Sequence, residues 1–271
     1  MTREYSLAHL SMIAVPPTRL VDAAAGAGFE WFSLRLTPSP STGVDHGHLG
    51  DERALEQLRR HIDDSGAHLL DLEVVRMKGP GSVAEAGPLL EAAQALGARY
   101  VIATVEDADP VRRVDTLSAL ADAAARHDTS IAVEFMMFTA SPTLLDCIDV
   151  VHASGATNVV VLPDVLHVIR SGGTLEQVAA TDPALLPYAQ ICGAHGPGPA
   201  SSPEEARAEG VRARLMPDEG DLPVREFVAA LPASTILAVE APLAGQADPA
   251  DPRALAAAML AAGRRVAGET P

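Results

Sequence analysis

Aromatic side chains make up only 3% of this 271-residue chain, so alanine, leucine and valine must supply most of its packing. Cysteine is scarce as well. Cys147 and Cys192 show no paired spacing, which excludes a disulfide framework and suits a reducing compartment. Positive charge is in short supply: 20 Lys and Arg face 36 Asp and Glu, for a net charge of −16. That balance argues against a nucleic-acid or anionic-membrane partner and means that an anionic substrate would need a local basic pocket. No apolar stretch is long enough to cross a bilayer, and the opening Met-Thr-Arg-Glu-Tyr-Ser lacks the features of a signal peptide. The expected location is the cytoplasm, and the expected partner a small molecule.

Nearly half of the residues are apolar, enough for a large core. They fall into short β-like runs alternating with amphipathic helices. The runs are Leu7–Ala14, Trp31–Leu36, Leu69–Met77, Tyr100–Val105, Ile131–Met136, Val159–Leu162, Ala189–Cys192 and Ile236–Val239. Between them the periodicity predicts helices over 17–27, 52–65, 83–96, 110–126, 142–153, 175–180, 223–231 and 252–266. Several open on Asp-Pro or Ser-Pro and close on glycine. Eight βα units predict a single (β/α)8 TIM barrel over 1–271. The rival is a doubly wound open sheet, weakened in its nucleotide-binding form because no Gly-x-Gly-x-x-Gly or P-loop follows an early run. Two long connections, 37–50 and 193–222, leave the C-terminal ends of runs two and seven, where barrel active sites form, and are candidate lids.

Two of the runs end on a glutamate: Glu134 after Ile131-Ala132-Val133, and Glu240 after Leu237-Ala238-Val239. A buried, unpaired carboxylate costs several kcal/mol or forces a large pKa shift. Asp164 and Gln190 close the two intervening runs. In a parallel barrel the four side chains converge on the mouth, where one divalent cation could compensate them. Three carboxylates and an amide oxygen form a hard, all-oxygen donor set, so Mn²⁺ is the expected ion, with Mg²⁺ or Co²⁺ as alternatives. The bland reading is that each is an ordinary strand-end polar group. Arg35, Arg76 and Lys78 either receive a substrate carboxylate or phosphate or simply neutralise Glu73 and the site carboxylates. Glu73 and Arg76 differ by an odd number, so both face the site only if the strand ends or bulges between them.

The segments Val133-Glu134, Leu162-Pro163-Asp164-Val165-Leu166-His167, Tyr188-Ala189-Gln190-Ile191-Cys192, Arg214-Leu215-Met216-Pro217-Asp218-Glu219-Gly220-Asp221 and Leu237-Ala238-Val239-Glu240 resemble, in that order, the xylose-isomerase-like TIM-barrel superfamily of sugar isomerases and epimerases. The resemblance implies that Glu134, Asp164 and Glu240 bind the metal, with His167 and Arg214 lining the site. It also implies dimers or tetramers. Three positions depart from the common pattern. Gln190 stands where many members have His, which resembles the branch dehydrating 3-dehydroshikimate. Gly193 replaces a frequent Asp, and Asp218 replaces the first Gly of a Pro-Gly-Glu-Gly turn.

A divalent ion flanked by Glu134 and Glu240 suits proton abstraction next to a carbonyl through a metal-bound enediolate, with His167 as a further acid or base. The leading expectation is a metal-dependent isomerase or epimerase of a small polyhydroxylated carbonyl compound. The alternative is a dehydratase of the 3-dehydroshikimate or inosose type. A DNA-repair nuclease and a non-catalytic binding protein with a vestigial site are weaker readings. Among the other histidines, His46 and His48 read as loop residues, His195 as a lid contact, His9 as facing either the barrel or the helices, and Cys192 as core.

Overall fold

A computed structural model describes residues 2–40 and 42–270. Met1, Pro271 and Ser41, the last within the expected lid 37–50, lie outside them. Eight parallel strands run in the order β6-β5-β4-β3-β2-β1-β8-β7. They are β1 Tyr5–Leu7, β2 Trp31–Arg35, β3 His68–Met77, β4 Tyr100–Val105, β5 Ser130–Glu134, β6 Val159–Leu162, β7 Tyr188–Ile191 and β8 Ile236–Val239. The ends of the order, β6 and β7, meet through one parallel bridge between Asp164 and Gln190, where the Gln190 N–H donates to Pro163 O at 2.9 Å. The result is a (β/α)8 barrel whose seam is formed by two of the expected site residues.

Residue parity fills the barrel. Alternate positions of the strands, including Leu70, Ile102, Leu162, Tyr188 and Ile236, make an inner apolar cluster separate from the larger one under the helices. Tyr100 of β4 and Tyr188 of β7 stack across the interior with ring centroids 5.0 Å apart. The outer helices start where expected. Asp51, Asp109 and Asp251 cap helices Glu52–Ser65, Pro110–Ala125 and Pro252–Val266, accepting from backbone N–H groups of the first turn. Gly28, Gly66, Gly97 and Gly155 end helices in the left-handed region.

The first strand differs from the sequence expectation. It is Tyr5–Leu7, and a 3-10 turn, His9–Met12, replaces most of Leu7–Ala14. Side chains take over the ladder there. Ser33 Oγ accepts from the His9 N–H at 3.1 Å, while His9 Nδ1 accepts from the Arg35 N–H at 3.0 Å. Ser11 Oγ accepts from the Ala241 N–H at 2.9 Å and donates to Val239 O at 3.2 Å. The expected helix 83–96 is two, Gly81–Glu85 and Gly87–Leu96.

Two helices were not anticipated. Val165–Arg170 is buried at every position, so it has no polar face and reads as a continuation of β6. Pro203–Arg212, inside the 193–222 connection, buries only Ala206 and Gly210 and reads as a solvated charged loop. Among the described residues no helix is long and apolar enough to cross a membrane.

Candidate active site at the barrel mouth

A cavity of about 330 Å³ opens at the C-terminal ends of the strands. Glu73, Glu134, Gln190, Glu240 and His167 line it, with Arg35, Arg76 and Arg214. Glu73 and Arg76 share this lining because the register of β3 against β4 shifts between Leu72 and Val75, across a cis Glu73–Val74 peptide. Asp164 is fully buried behind the wall.

Arg214 organises the floor. Its buried guanidinium donates to Asp164 Oδ2 at 2.5 Å, Glu240 Oε2 at 2.9 Å and Glu240 O at 3.2 Å, while its Nε donates to Gly210 O at 2.8 Å. Gln190 Nε2 donates to Glu240 Oε1 at 2.9 Å. Both Glu240 oxygens are therefore engaged. The Gln190 amide oxygen is buried and has no hydrogen-bond partner. Asp164 also uses Oδ1 to cap helix Val165–Arg170 through the Leu166 N–H at 2.7 Å.

Glu134 has no such support. Its side chain is 12% exposed, and its nearest basic group is His167 Nε2 at 3.8 Å. Burial, with repulsion from Glu240 and Asp164, pushes its carboxyl well above the usual range. Burial also pulls His167 down to about 4, so the imidazole is neutral near pH 7 and adds no positive charge. Burial raises Glu240 to about 8 against the opposing pull of Arg214. Asp71, below the floor, is pushed well up by burial and by Glu73 and Glu240.

Ligand atoms of Glu134, Asp164 and His167 lie within 4.8 Å of one another, the one such carboxylate–histidine group among the described residues. Glu240 stands outside that group. The residues fit a divalent cation on two counts. Four buried carboxylates, Asp71, Glu73, Asp164 and Glu240, together with Glu134, face only two buried guanidiniums, Arg35 and Arg214. Beside them the Gln190 oxygen lacks the donor that a buried acceptor requires.

The remaining candidates separate. Arg35 Nη1 pairs with Glu73 Oε2 at 3.4 Å, and Ser33 Oγ donates to Glu73 Oε1 at 3.1 Å. Arg76 and Lys78 both turn to Glu106, at 3.3 and 4.0 Å. His9 is buried, with Nε2 donating to Val15 O, and stacks on His46 at 5.0 Å. Neither His46 nor His48 lines the cavity. His195 is exposed, and its carbonyl accepts from Arg170. Cys192 is buried, its thiol raised by burial to about 12, which agrees with a core role.

Sequence reasoning missed Arg170, Arg207 and Phe138. Arg170 bonds the carbonyls of His195, Gly196 and Gly198 and grips Glu209, tying the loop after β7 and helix Pro203–Arg212 to the barrel. Arg207, on that helix, stacks over the Phe138 ring at 4.4 Å, and Phe138 meets His167 edge-on at 5.8 Å.

Two of the three departures, Gly193 and Asp218, also find explanations. Gly193 pairs with Leu215, and a Cβ there would collide with the carbonyl oxygens of Met216 and Glu219. The Arg214–Gly220 segment thus docks by its backbone against a position that has no side chain. Asp218 points away from the cavity and pairs with Arg265 at 2.6 Å. Restoring the acid with Gly193→Asp is expected to destabilise the protein by about 2–4 kcal/mol, the scale of a forced backbone shift in a packed site. Urea unfolding checks this, and a variant as stable as the parent would contradict it.

The molecule is thus an α/β barrel with a carboxylate-rich pocket at the C-terminal ends of its strands. The chain belongs to the xylose isomerase-like TIM barrel family, whose model matches residues 21–262. No curated protein matches the sequence. Among solved structures, the IolI protein with a bound zinc atom superposes with a TM-score of 0.81 at 16% identity, covering 97% of each chain. The probable 3-DHS dehydratase AsbF from Bacillus anthracis, involved in petrobactin synthesis, gives 0.73 at 14% identity over 97% of this chain and 99% of its own. D-psicose 3-epimerase in the presence of D-fructose gives 0.72 at 16% identity over 98% and 99%. At these identities the likeness establishes the fold.

Proposed function

We propose that the protein is a divalent-metal-dependent isomerase or epimerase of a small polyhydroxylated carbonyl compound, working by proton abstraction next to the carbonyl. The observation that carries this reading is Glu134: a nearly buried carboxylate with only a neutral imidazole beside it, facing the cavity next to an unpartnered amide oxygen. Glu134, Asp164, His167 and Gln190 Oε1 would hold the ion. This set differs from the sequence-based one by admitting His167 and leaving Glu240 beside it. Mn²⁺ remains the expected ion, and an imidazole ligand also admits Zn²⁺, the ion that the IolI protein carries.

A bound divalent cation would polarise the substrate carbonyl and so acidify the neighbouring C–H. Arg214 and Gln190 clamp the Glu240 carboxylate from two sides and fix its direction. Burial places that carboxyl in the range where it can take a proton and return it near neutral pH. Phe138 packs against the other face of the pocket and helps exclude water from His167. The fold-mates D-psicose 3-epimerase and AsbF are named for epimerisation and dehydration, and proton abstraction next to a carbonyl is compatible with either outcome. The dehydratase reading is favoured by Gln190 and by the arginines at the mouth. Both lid candidates reach the cavity, through Pro40 from 37–50 and Arg207, Gly210 and Arg214 from 193–222.

The test is a screen of ketoses, inososes and 3-dehydroshikimate with added Mn²⁺ in deuterium oxide. Metal-dependent deuterium incorporation next to a carbonyl supports the reading. An ultraviolet-absorbing conjugated product from 3-dehydroshikimate moves the assignment to dehydratase. A protein that binds no divalent ion by direct metal analysis overturns both.

A further inference from the structure

The cavity's charge runs against that of the chain. Acidic residues outnumber basic ones 36 to 20 overall. Yet five cationic side chains, Arg35, Arg76, Lys78, Arg207 and Arg214, line this one cavity against four glutamates. Arg214 is committed to the floor, and Arg35 pairs with Glu73. Glu106 alone faces both Arg76 and Lys78. No carboxylate among the described residues lies within ion-pair distance of Arg207. The rim therefore keeps an excess of positive charge, while the floor below it gathers the carboxyl groups of Glu73, Glu134 and Glu240.

Three of these groups form a track. Arg35 is buried at the end of β2, Arg76 is half-buried, and Arg207 is exposed at the lip on helix Pro203–Arg212. They are close enough to repel: burial first, then the Arg35 and Arg207 guanidiniums, pulls Arg76 below the usual arginine range. Like charges gathered around a cavity cost free energy unless an anion joins them. Arg35, itself nine-tenths buried, lines the cavity and leaves its buried Nε–H without an acceptor. Stacking on Phe138 accounts for the face of the Arg207 guanidinium and leaves its N–H edge available for hydrogen bonding.

The geometry points to a substrate that bears an oxyanion group, a carboxylate or a phosphate monoester, seated among Arg35, Arg76 and Arg207 while its polyhydroxylated carbonyl end faces Glu134 and His167. This rests on the proposed reaction for the role of the floor, but the anion site itself does not require turnover. Arg207 is then the residue that favours anionic over neutral substrates. It reaches the site because Arg170 holds its helix against the barrel through Glu209.

Calorimetric titration of the full chain, freed of metal with EDTA, separates the two claims. Gluconate, sorbitol 6-phosphate and sorbitol are the probes, and none needs to react. At least one anion is expected to bind about 10- to 100-fold more tightly than sorbitol, the range of one or two charge-assisted hydrogen bonds. Which anion binds tells carboxylate from phosphate. Arg207→Ala and Arg76→Ala should each cut that preference about tenfold without changing sorbitol affinity, with unchanged thermal unfolding showing that the fold is kept. No measurable anion binding, equal affinity for all three, or a preference untouched by both substitutions overturns the proposal. A positive result without deuterium exchange on any substrate would instead keep the anion site and remove the isomerase reading.

Discussion

Glu134→Gln is expected to stabilise the metal-free protein at neutral pH and to lower turnover by about a thousandfold or more. The carboxyl is nearly buried, its neighbours Glu240 and Asp164 are acidic, and the adjacent His167 is neutral. A carboxyl raised in the folded state contributes stability below its unfolded pKa and loses it as pH rises towards the folded value. At pH 7 the group therefore opposes folding, by up to about 1.4 kcal/mol for each pH unit between the two values. The isosteric amide removes that burden. The gain should be about 1–3 kcal/mol in urea unfolding at pH 7 and vanish near pH 4, where both proteins are neutral at this position. Saturating Mn²⁺ should reverse the order, because only the parent gains the binding energy of the ion. A variant less stable than the parent at pH 7 in EDTA would mean that Glu134 is compensated by the protein itself.

The opposite outcome is expected for Arg214→Met, a loss of about 3–5 kcal/mol. Methionine keeps much of the volume but leaves Glu240 and Asp164 without their shared cation, and frees the carbonyls of Gly210 and Glu240. Arg214→Lys should recover less than half, since one ammonium cannot serve both carboxylates and Gly210 O in the same plane. Without Arg214 the force opposing burial at Glu240 is gone, so its carboxyl rises beyond about 8. The part of the deficit carried by Glu240 is therefore absent at pH 6, where the folded carboxyl is protonated with or without Arg214, and grows as pH rises through about 8. Urea unfolding at pH 6, 8 and 9 measures it. A pH-independent loss would assign Arg214 a packing role alone.

These two residues also mark how far the sequence reaches. Glu134 and Glu240 are legible because a charge at the end of an apolar run is an energetic oddity that needs no coordinates to notice. The parity of β5 and β8 then places both at the mouth. Arg35 and Glu73 follow by the same reasoning, with Arg76 admitted by the shift in β3 that its odd spacing required. The neutralising role read for the arginines is partly realised, for Arg35 does pair with Glu73. Arg214 is different. It lies inside the 193–222 connection, where only the family resemblance marked it as lining the site, and its position depends on Gly193, whose missing side chain lets 214–220 dock by backbone contact.

Sequence alone determined the alternation of strands and helices, the barrel and the acidic identity of its floor, because these follow from local periodicity and from the cost of burying charge. Tertiary structure decided which charges meet. Helix Pro203–Arg212 carries no periodic apolar signal, so only its packing brings Arg207 to Phe138 and the rim. Only the closing of the barrel between Asp164 and Gln190 sets Arg214 across two carboxylates and leaves Glu134 without a cation. Pairing of buried ions is a property of distances between strands far apart in the chain, and no local pattern encodes it.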